Sequence, residues 1–171
     1  LLLVHEIAIT AQLIARLERI FGSRVTAYHS KLTLARRTES YLRLTRSDGG
    51  ELVVGARSAL FLPLRHLQLI VVDEEHDTGY KQTDAQPRYN ARDVAVVMAR
   101  LREARTVLGS ATPSLESYAN ALSGKYGLAT LDERYGDARP PLVLVSDTLR
   151  AVKRNERKTH FNRLLLDKLA D

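Results

Sequence analysis

The chain has 171 residues, 44% of them apolar, enough for one globular domain with a real core and too many for disorder to be the default reading. Its formal net charge is +6, which favours an anionic partner such as nucleic acid, and it contains no cysteine, which excludes disulfides and thiolate metal sites. No apolar run approaches the roughly 18 residues needed to cross a bilayer.

Leu1–Val4 predicts a strand. It is not a signal peptide, because no basic segment precedes it and His5 and Glu6 interrupt it after four residues. The only methionine is Met98, so the chain is expected to begin partway through a longer protein, at or just before a core strand. Thr10–Phe21 carries Leu13, Ile14, Leu17, Ile20 and Phe21 at helical spacing, with Thr10 as N-cap and Gly22 as the stop. A strand over Arg24–Tyr28 and a basic helix over Thr33–Thr45 follow, the helix ending at the Ser47-Asp48-Gly49-Gly50 turn. Glu51–Gly55 and Leu67–Val72 predict two more strands, the second apolar throughout, as a strand buried on both faces should be.

Ala91–Arg102 predicts a helix with Val94, Val97, Met98 and Leu101 on its apolar side. Thr106–Leu108 is a strand leading into GSATPS, and Pro113 opens a helix through Leu115, Tyr118, Ala119 and Leu122. Gly127–Leu131 and Leu142–Val145 are further candidate strands, separated by the charged loop Asp132–Pro141. After a basic stretch from Arg150 to Lys158, Phe161–Leu169 predicts a final helix. Strands alternating with helices in this way predict an α/β fold, a parallel sheet with helices on both faces.

The chemistry concentrates where the strand LQLIVV runs into Asp73, Glu74, Glu75, His76 and Asp77. Clustered carboxylates repel and raise one another's pKa, so a cation is expected beside them. In a parallel α/β sheet, ligands bind beyond the carboxyl ends of the strands. An acid at that place is the Walker B arrangement, which holds Mg²⁺ for a nucleoside triphosphate, and a second carboxylate can polarise the attacking water. A solvated acidic turn is the plainer alternative, and a zinc site of Asp73, Glu75 and His76 is another, though no HExxH spacing supports it. The GSAT segment follows the next strand, so Ser110 and Thr112 are expected beside His76 or the acids.

Taken together, DEEHD at 73–77, YKQ at 80–82, RYNARD at 88–93 and GSATPS at 109–114 resemble the primosomal replication-restart helicases, within the DEAH-like superfamily 2. HEIAIT-AQ at 5–12 is similar to the family's motif Ia, with His5 and Ala11 replacing two prolines usual there. YHSKLT at 28–33, GARSALFLPL at 55–64 and RPPLVLVSD at 139–147 extend the match in family order.

The resemblance implies a RecA-like first helicase lobe over residues 1–147 and a basic connection with a helix over 148–171, leading towards a second lobe. It implies that Asp73 holds Mg²⁺ through water, that Glu74 is the catalytic carboxylate, and that His76 with Ser110, Ala111 and Thr112 couples the nucleotide state to DNA binding. Glu6, Thr10, Gln12, Arg57 and Ser58 would line a single-stranded DNA track. Residues 77–92 resemble an aromatic-rich loop in which Tyr80, Lys81, Arg88 and Tyr89 sense DNA. Tyrosine rings flanked by cations suit sequence-tolerant single-strand binding, although half-buried packing explains Tyr80 and Tyr89 as well. Solvated or turn roles remain the alternatives for Arg57, for His29-Ser30 and for the basic face of Lys31, Arg36, Arg37 and Arg43.

No GxxxxGK[ST] phosphate loop occurs in the 171 residues. The resemblance places it just upstream of Leu1, so the lobe is expected to be truncated at its N-terminal edge, with apolar surface uncovered there and no ATP turnover from this chain alone. The implied parent is a bacterial, cytoplasmic, nucleoid-associated 3′-to-5′ helicase using ATP and Mg²⁺, with zinc only in its other domains. Its implied partners are single-stranded and forked DNA, primosome proteins and single-stranded DNA-binding proteins. The alternatives are a non-catalytic single-stranded nucleic-acid-binding module and another superfamily 2 translocase, of restriction or repair type.

Overall fold

The computed structural model describes residues 1–5, 11–83, 86–133, 143–145, 157–158 and 161–170. They fall into two compact units, Leu1–Leu128 and Ala129–Asp171. In the first, the elements in chain order are β1 (Leu2–Leu3), α1 (Ala11–Phe21), β2 (Val25–Tyr28), α2 (Leu34–Arg46), β3 (Leu52–Gly55), β4 (Leu69–Val72), β5 (Lys81–Gln82), β6 (Tyr89–Asn90), α3 (Ala91–Leu101), β7 (Arg105–Leu108) and α4 (Leu115–Leu122).

Five strands form one parallel sheet in the order β2-β3-β1-β4-β7. Leu2 stands opposite Val54 and Val71, and Leu3 opposite Gly55 and Val72. The alternation of side chains along each strand divides the apolar residues between two faces. One face gathers Leu3, Val53, Ile70 and Val72 against Ala91, Ala95 and Ala99 of α3, together with Leu44 of α2. On the other, Val4, Val25 and Val54 pack against Leu13, Ile14 and Leu17 of α1. This mostly parallel sheet flanked by helices is the fold the alternating pattern predicts.

Local chemistry sets the helix starts. The Thr33 side chain accepts from Arg36 N at α2, Asn90 from Arg92 N at α3, and Ser114 from Ser117 N at α4. Ser114 rather than Pro113 therefore opens α4. The proposed cap Thr10 lies outside the described residues.

Several expectations are corrected. Of the four residues expected on the inner side of α3, Val94 and Met98 pack against the core, but its buried side is the alanine stripe with Arg92, and Val97 and Leu101 are 58% and 79% exposed. Alanines four residues apart let the helix axis approach the sheet more closely than valine or leucine would. β4 is not buried on both faces: Ile70 and Val72 face α3, but Leu69 is exposed. Leu115, Tyr118 and Leu122 of α4 are exposed, and its buried residue is Ser117. Gly127–Leu131 forms no strand, and residues 143–145 are irregular, with Leu142 outside the described residues.

In the second unit, β8 (Arg157–Lys158) pairs antiparallel with β9 (Phe161–Asn162), and α5 spans Arg163–Ala170. The expected helix from Phe161 thus begins two residues later. Arg139–Pro141 lies outside the described residues.

Candidate functional site

The carboxyl end of β4 is stitched to both neighbouring strands. Asp73 N donates to Leu3 O at 2.9 Å, Gly109 N to Val72 O at 2.9 Å, and Glu75 N to Gly109 O at 3.0 Å. The DEEH turn therefore sits at the carboxyl edge of the sheet, between β1 and β7. Its backbone folds tightly. Glu74 takes φ +46°, the left-handed region that non-glycine residues rarely adopt, and the flanking bonds from Glu75 N to Gly109 O and from Asp77 N to Glu74 O hold it there.

That conformation sends successive side chains in different directions. Asp73 and Glu74 are exposed, and Asp73 Oδ1 accepts from Glu74 N at 3.1 Å. His76 Nδ1 is 2.7 Å from Ser110 Oγ, and its Nε2 is 3.4 Å from Thr112 Oγ1. Ser110 Oγ also accepts from Thr112 N at 3.0 Å, which closes the GSAT loop on itself. The expected meeting of His76 with Ser110 and Thr112 is thus present. Ala111 is exposed beside them.

Glu75 turns the other way and is 3% exposed. Its carboxylate accepts from Ser114 N at 2.6 Å, Ser117 Oγ at 2.8 Å, Ser114 Oγ at 3.0 Å and Arg92 Nη1 at 3.1 Å. Burial by itself would raise the Glu75 carboxyl, but these donors outweigh it and hold the group below its ordinary value. Asp73, Glu75 and His76 therefore do not converge on one point, which overturns the zinc reading. Among the described residues no group of three or more histidine or acidic side chains is placed to hold a metal directly. A Mg²⁺ site of the expected kind needs no such group, because Mg²⁺ keeps several waters and takes one or two carboxylates. Exposed Asp73 at the strand end fits that requirement.

Tyr80 is a second correction. Its side chain is 2% exposed, and its hydroxyl is shared between Asp73 O at 2.7 Å and Leu3 O at 3.1 Å. A ring so enclosed offers no face to a base. Burial first, then the nearby charges of Asp73, Asp77 and Glu74, push its phenol well above the usual value. Tyr89 is half-buried, with its ring edge-on to Phe61 at 5.3 Å between centroids, so it combines core packing with partial access. Lys81 and Arg88 are exposed around the two-stranded β5–β6 ribbon, and Arg57 Nη1 donates to Lys81 O at 3.1 Å, fastening that ribbon to the turn after β3.

Arg57 also lines a hollow of about 390 Å³ beyond the ends of β1, β2 and β3, with His5, Ser30, Lys31 and Gly79. Gln12 and Ser58 are exposed, whereas Glu6 and Thr10 lie outside the described residues. Gly55, in the same segment as Arg57, is fixed by close approach: a Cβ there would collide with Ala59 Cβ and stand 2.7 Å from Tyr28 O.

Sequence reading missed Glu75, Arg92, Ser114 and Ser117 as a set. Two signals for it were present. A run of acids needs counter-charge, and Arg92 is the arginine within RYNARD; Ser114 and Ser117, three residues apart, open a helix as capping residues do.

A family model described as DEAD/DEAH box helicase matches residues 1–121. The replication restart protein PriA of Chlamydia trachomatis is 42% identical over 166 residues, covering 97% of this chain and 22% of the relative. Its counterparts in Chlamydia pneumoniae and Bacillus subtilis are 44% and 40% identical, over 100% of this chain and 23% and 21% of theirs. The chain spans about a fifth of the length of these curated relatives. With the family model covering most of its length, the chain belongs to the DEAD/DEAH box helicase family.

Proposed function

We propose that this chain is part of the first motor lobe of an ATP-dependent 3′-to-5′ DNA helicase that acts in bacterial replication restart. Family membership implies nucleotide and Mg²⁺ use in general. The observation that carries the reading is the docking of His76 on Ser110, 2.7 Å away, beside the two exposed carboxylates of Asp73 and Glu74. A carboxylate pair at a strand end, bonded to the loop after the neighbouring strand, is the arrangement a nucleotide-driven switch requires.

Asp73 is the residue that would hold Mg²⁺, through water, and Glu74 the base that would polarise the attacking water. When bound, Mg²⁺-ATP supplies the electrophilic phosphorus and neutralises charge developing on the transferred phosphoryl group. Glu74, pinned at φ +46° and exposed, can turn its carboxylate towards a water without moving the strand. His76 ties the same turn to the GSAT loop, so a displacement of either is felt by the other. The phosphate cradle is assigned to sequence outside these 171 residues, so the chain alone should not turn over ATP. Zinc ligation is likewise assigned elsewhere, since the chain has no cysteine. Residues 1–147 are read as lobe and 148–171 as connection.

Single-stranded DNA is assigned to the hollow lined by Arg57 and Lys31, with Lys81, Arg88 and Tyr89 on the β5–β6 ribbon and its approach. Phosphates would meet the cations, and Tyr89 would supply a partly accessible ring. Forked DNA, primosome proteins and single-stranded DNA-binding proteins are the proposed partners, in the cytoplasm.

The test is DNA-stimulated ATP turnover and strand unwinding by the full-length protein. Glu74→Gln should abolish both while leaving DNA binding intact, and duplexes with a 3′ single-stranded tail should be unwound in preference to those with a 5′ tail. Turnover that survives Glu74→Gln would remove the assignment of the catalytic carboxylate.

A further inference from the structure

One residue clamps both ends of the GSAT loop. Glu75 N donates to Gly109 O, where β7 ends, at 3.0 Å. The Glu75 carboxylate accepts from Ser114 N, where α4 begins, at 2.6 Å. Between those two anchors lie Ser110 and Thr112, the residues that His76 touches. The clamp itself is braced from a third element. Arg92, in the first turn of α3, donates to Glu75 Oε2 at 3.1 Å and to Ser114 Oγ at 2.6 Å, and it is also paired with Asp93 at 2.8 Å. Glu75 and Arg92 are both buried, and every polar atom of the carboxylate is engaged.

This is more than core stabilisation requires. A buried ion pair is weak evidence for stability, since apolar residues of similar volume often serve as well. What an apolar pair cannot do is fix the loop. It would leave Ser114 N and the two serine hydroxyls without their acceptor, and the start of α4 would lose its direct side-chain tie to the DEEH turn. Glu75 lies between Glu74 and His76, so any rotation of the turn that moves the site acids drags the loop through the same residue.

We propose that Glu75, braced by Arg92, is a positioning residue that makes the DEEH turn and the GSAT loop move as one body, setting the His76–Ser110 contact. The inference rests on the helicase reading above for its consequence in turnover, and on the geometry alone for its consequence at His76. Glu75 thereby transmits the nucleotide-driven movement of the turn to α4, while touching neither nucleotide nor DNA.

The informative variant is the apolar double replacement Glu75→Leu with Arg92→Met, compared with Glu75→Gln. The expected result is a double variant that still folds, with a melting temperature lowered by the donors left without an acceptor, and that has lost the wild-type His76 ring-nitrogen signal in nitrogen-edited NMR of the 171-residue chain. In the full-length protein its DNA-stimulated turnover should fall by about a hundredfold, the scale of an ångström-sized misplacement, with KM for ATP changed less than about twofold. Glu75→Gln keeps an acceptor for Ser114 N and should fall between. A double variant that keeps both the His76 signal and DNA stimulation overturns the proposal. Should the double variant not fold, Glu75→Gln decides alone: an unaltered His76 signal together with undiminished stimulation overturns it. A wild-type protein without DNA-stimulated turnover would refute the helicase reading instead, and the His76 signal would still decide the clamp.

Discussion

Tyr80 separates two accounts of the segment after the DEEH turn, one in which its ring stacks on a base and one in which it is a core strut. Tyr80→Phe removes only the hydroxyl shared between Asp73 O and Leu3 O. Leu3 O keeps its bond from Asp73 N at 2.9 Å, so the loss falls mainly on Asp73 O. One lost bond with one under-satisfied carbonyl costs about 1–2 kcal/mol, or on the order of 5 °C in melting temperature for a unit of this size. Tyr80→Ala removes a ring that is 2% exposed and should cost about 3–5 kcal/mol. Circular dichroism melts of the two variants, beside titrations of a labelled single-stranded oligonucleotide, read both quantities. A base-stacking tyrosine would behave in the opposite way. Its loss to alanine would weaken DNA binding by about 1–3 kcal/mol and leave the melt unchanged. That second pattern, with Tyr80→Phe melting like wild type, would refute the burial reasoning. The raised phenol pKa adds a check of sign. The unfolded phenol ionises near its ordinary value of 10.0 while the folded one does not. Tyr80 therefore contributes stability that is fully present below about pH 10 and is lost as pH rises from there towards the folded value, and Tyr80→Phe should flatten that alkaline limb.

Three further outcomes follow from the same contacts. Glu75 has a depressed folded pKa, so its stabilisation is present above its ordinary value of 4.5 and lost as pH falls through the folded value; urea midpoints of Glu75→Gln should show a lower plateau at neutral pH and a shallower acid limb. Gly55→Ala should destabilise by about 1–3 kcal/mol, near the upper end because Tyr28 O is backbone and cannot swing aside, as measured by urea unfolding. Arg57→Ala should lower single-strand affinity and reduce the salt dependence of binding by about one unit of slope, while freeing the β5–β6 ribbon, whose Lys81 carbonyl Arg57 now holds.

The parallel sheet was legible because its strands are short apolar runs separated by helical spacing, and periodicity reports that directly. The end of β4 was legible as a candidate site only through its company: an acid after an apolar strand is common, and it was DEEHD, GSATPS and GARSALF in family order that singled this one out. Direction was not legible. Periodicity marked Val94, Val97, Met98 and Leu101 as core, yet the fully buried stripe of α3 is Ala91, Ala95 and Ala99, with Val94 and Met98 at its flank and Val97 and Leu101 exposed. Tyr80 read as a DNA contact because residues 77–92 resemble an aromatic-rich loop with cations beside its tyrosines, but the 3₁₀ turn Thr78–Tyr80 rotates the ring under Asp73. No local pattern encodes that rotation. It depends on Leu3 O, 77 residues away in sequence. Glu75 was hidden likewise, because its partners Arg92, Ser114 and Ser117 come from two helices further along the chain.

The acid cluster itself changes meaning once directions are known. Five titratable residues in a row at 73–77 suggested a repulsion that only a bound cation could offset. Two of them are compensated within the protein. Glu75 is satisfied by Arg92, two serine hydroxyls and a helix-start amide, and Asp77 accepts from Gly79 N at 2.6 Å with His5 Nε2 4.0 Å away. His76 lies 3.6 Å from Glu74 and, when protonated, can offset part of its charge. Only Asp73 and Glu74 remain as exposed carboxylates in want of a cation. The demand therefore shrinks from a cluster to one exposed pair at the end of β4, of which the proposed reading gives Asp73 to a largely hydrated Mg²⁺ and Glu74 to the attacking water. Glu75 holds the turn to Arg92 of α3 and to Ser114 and Ser117 at the start of α4, while the Asp73 N–H holds it to β1, and the two outward carboxylates are left facing solvent.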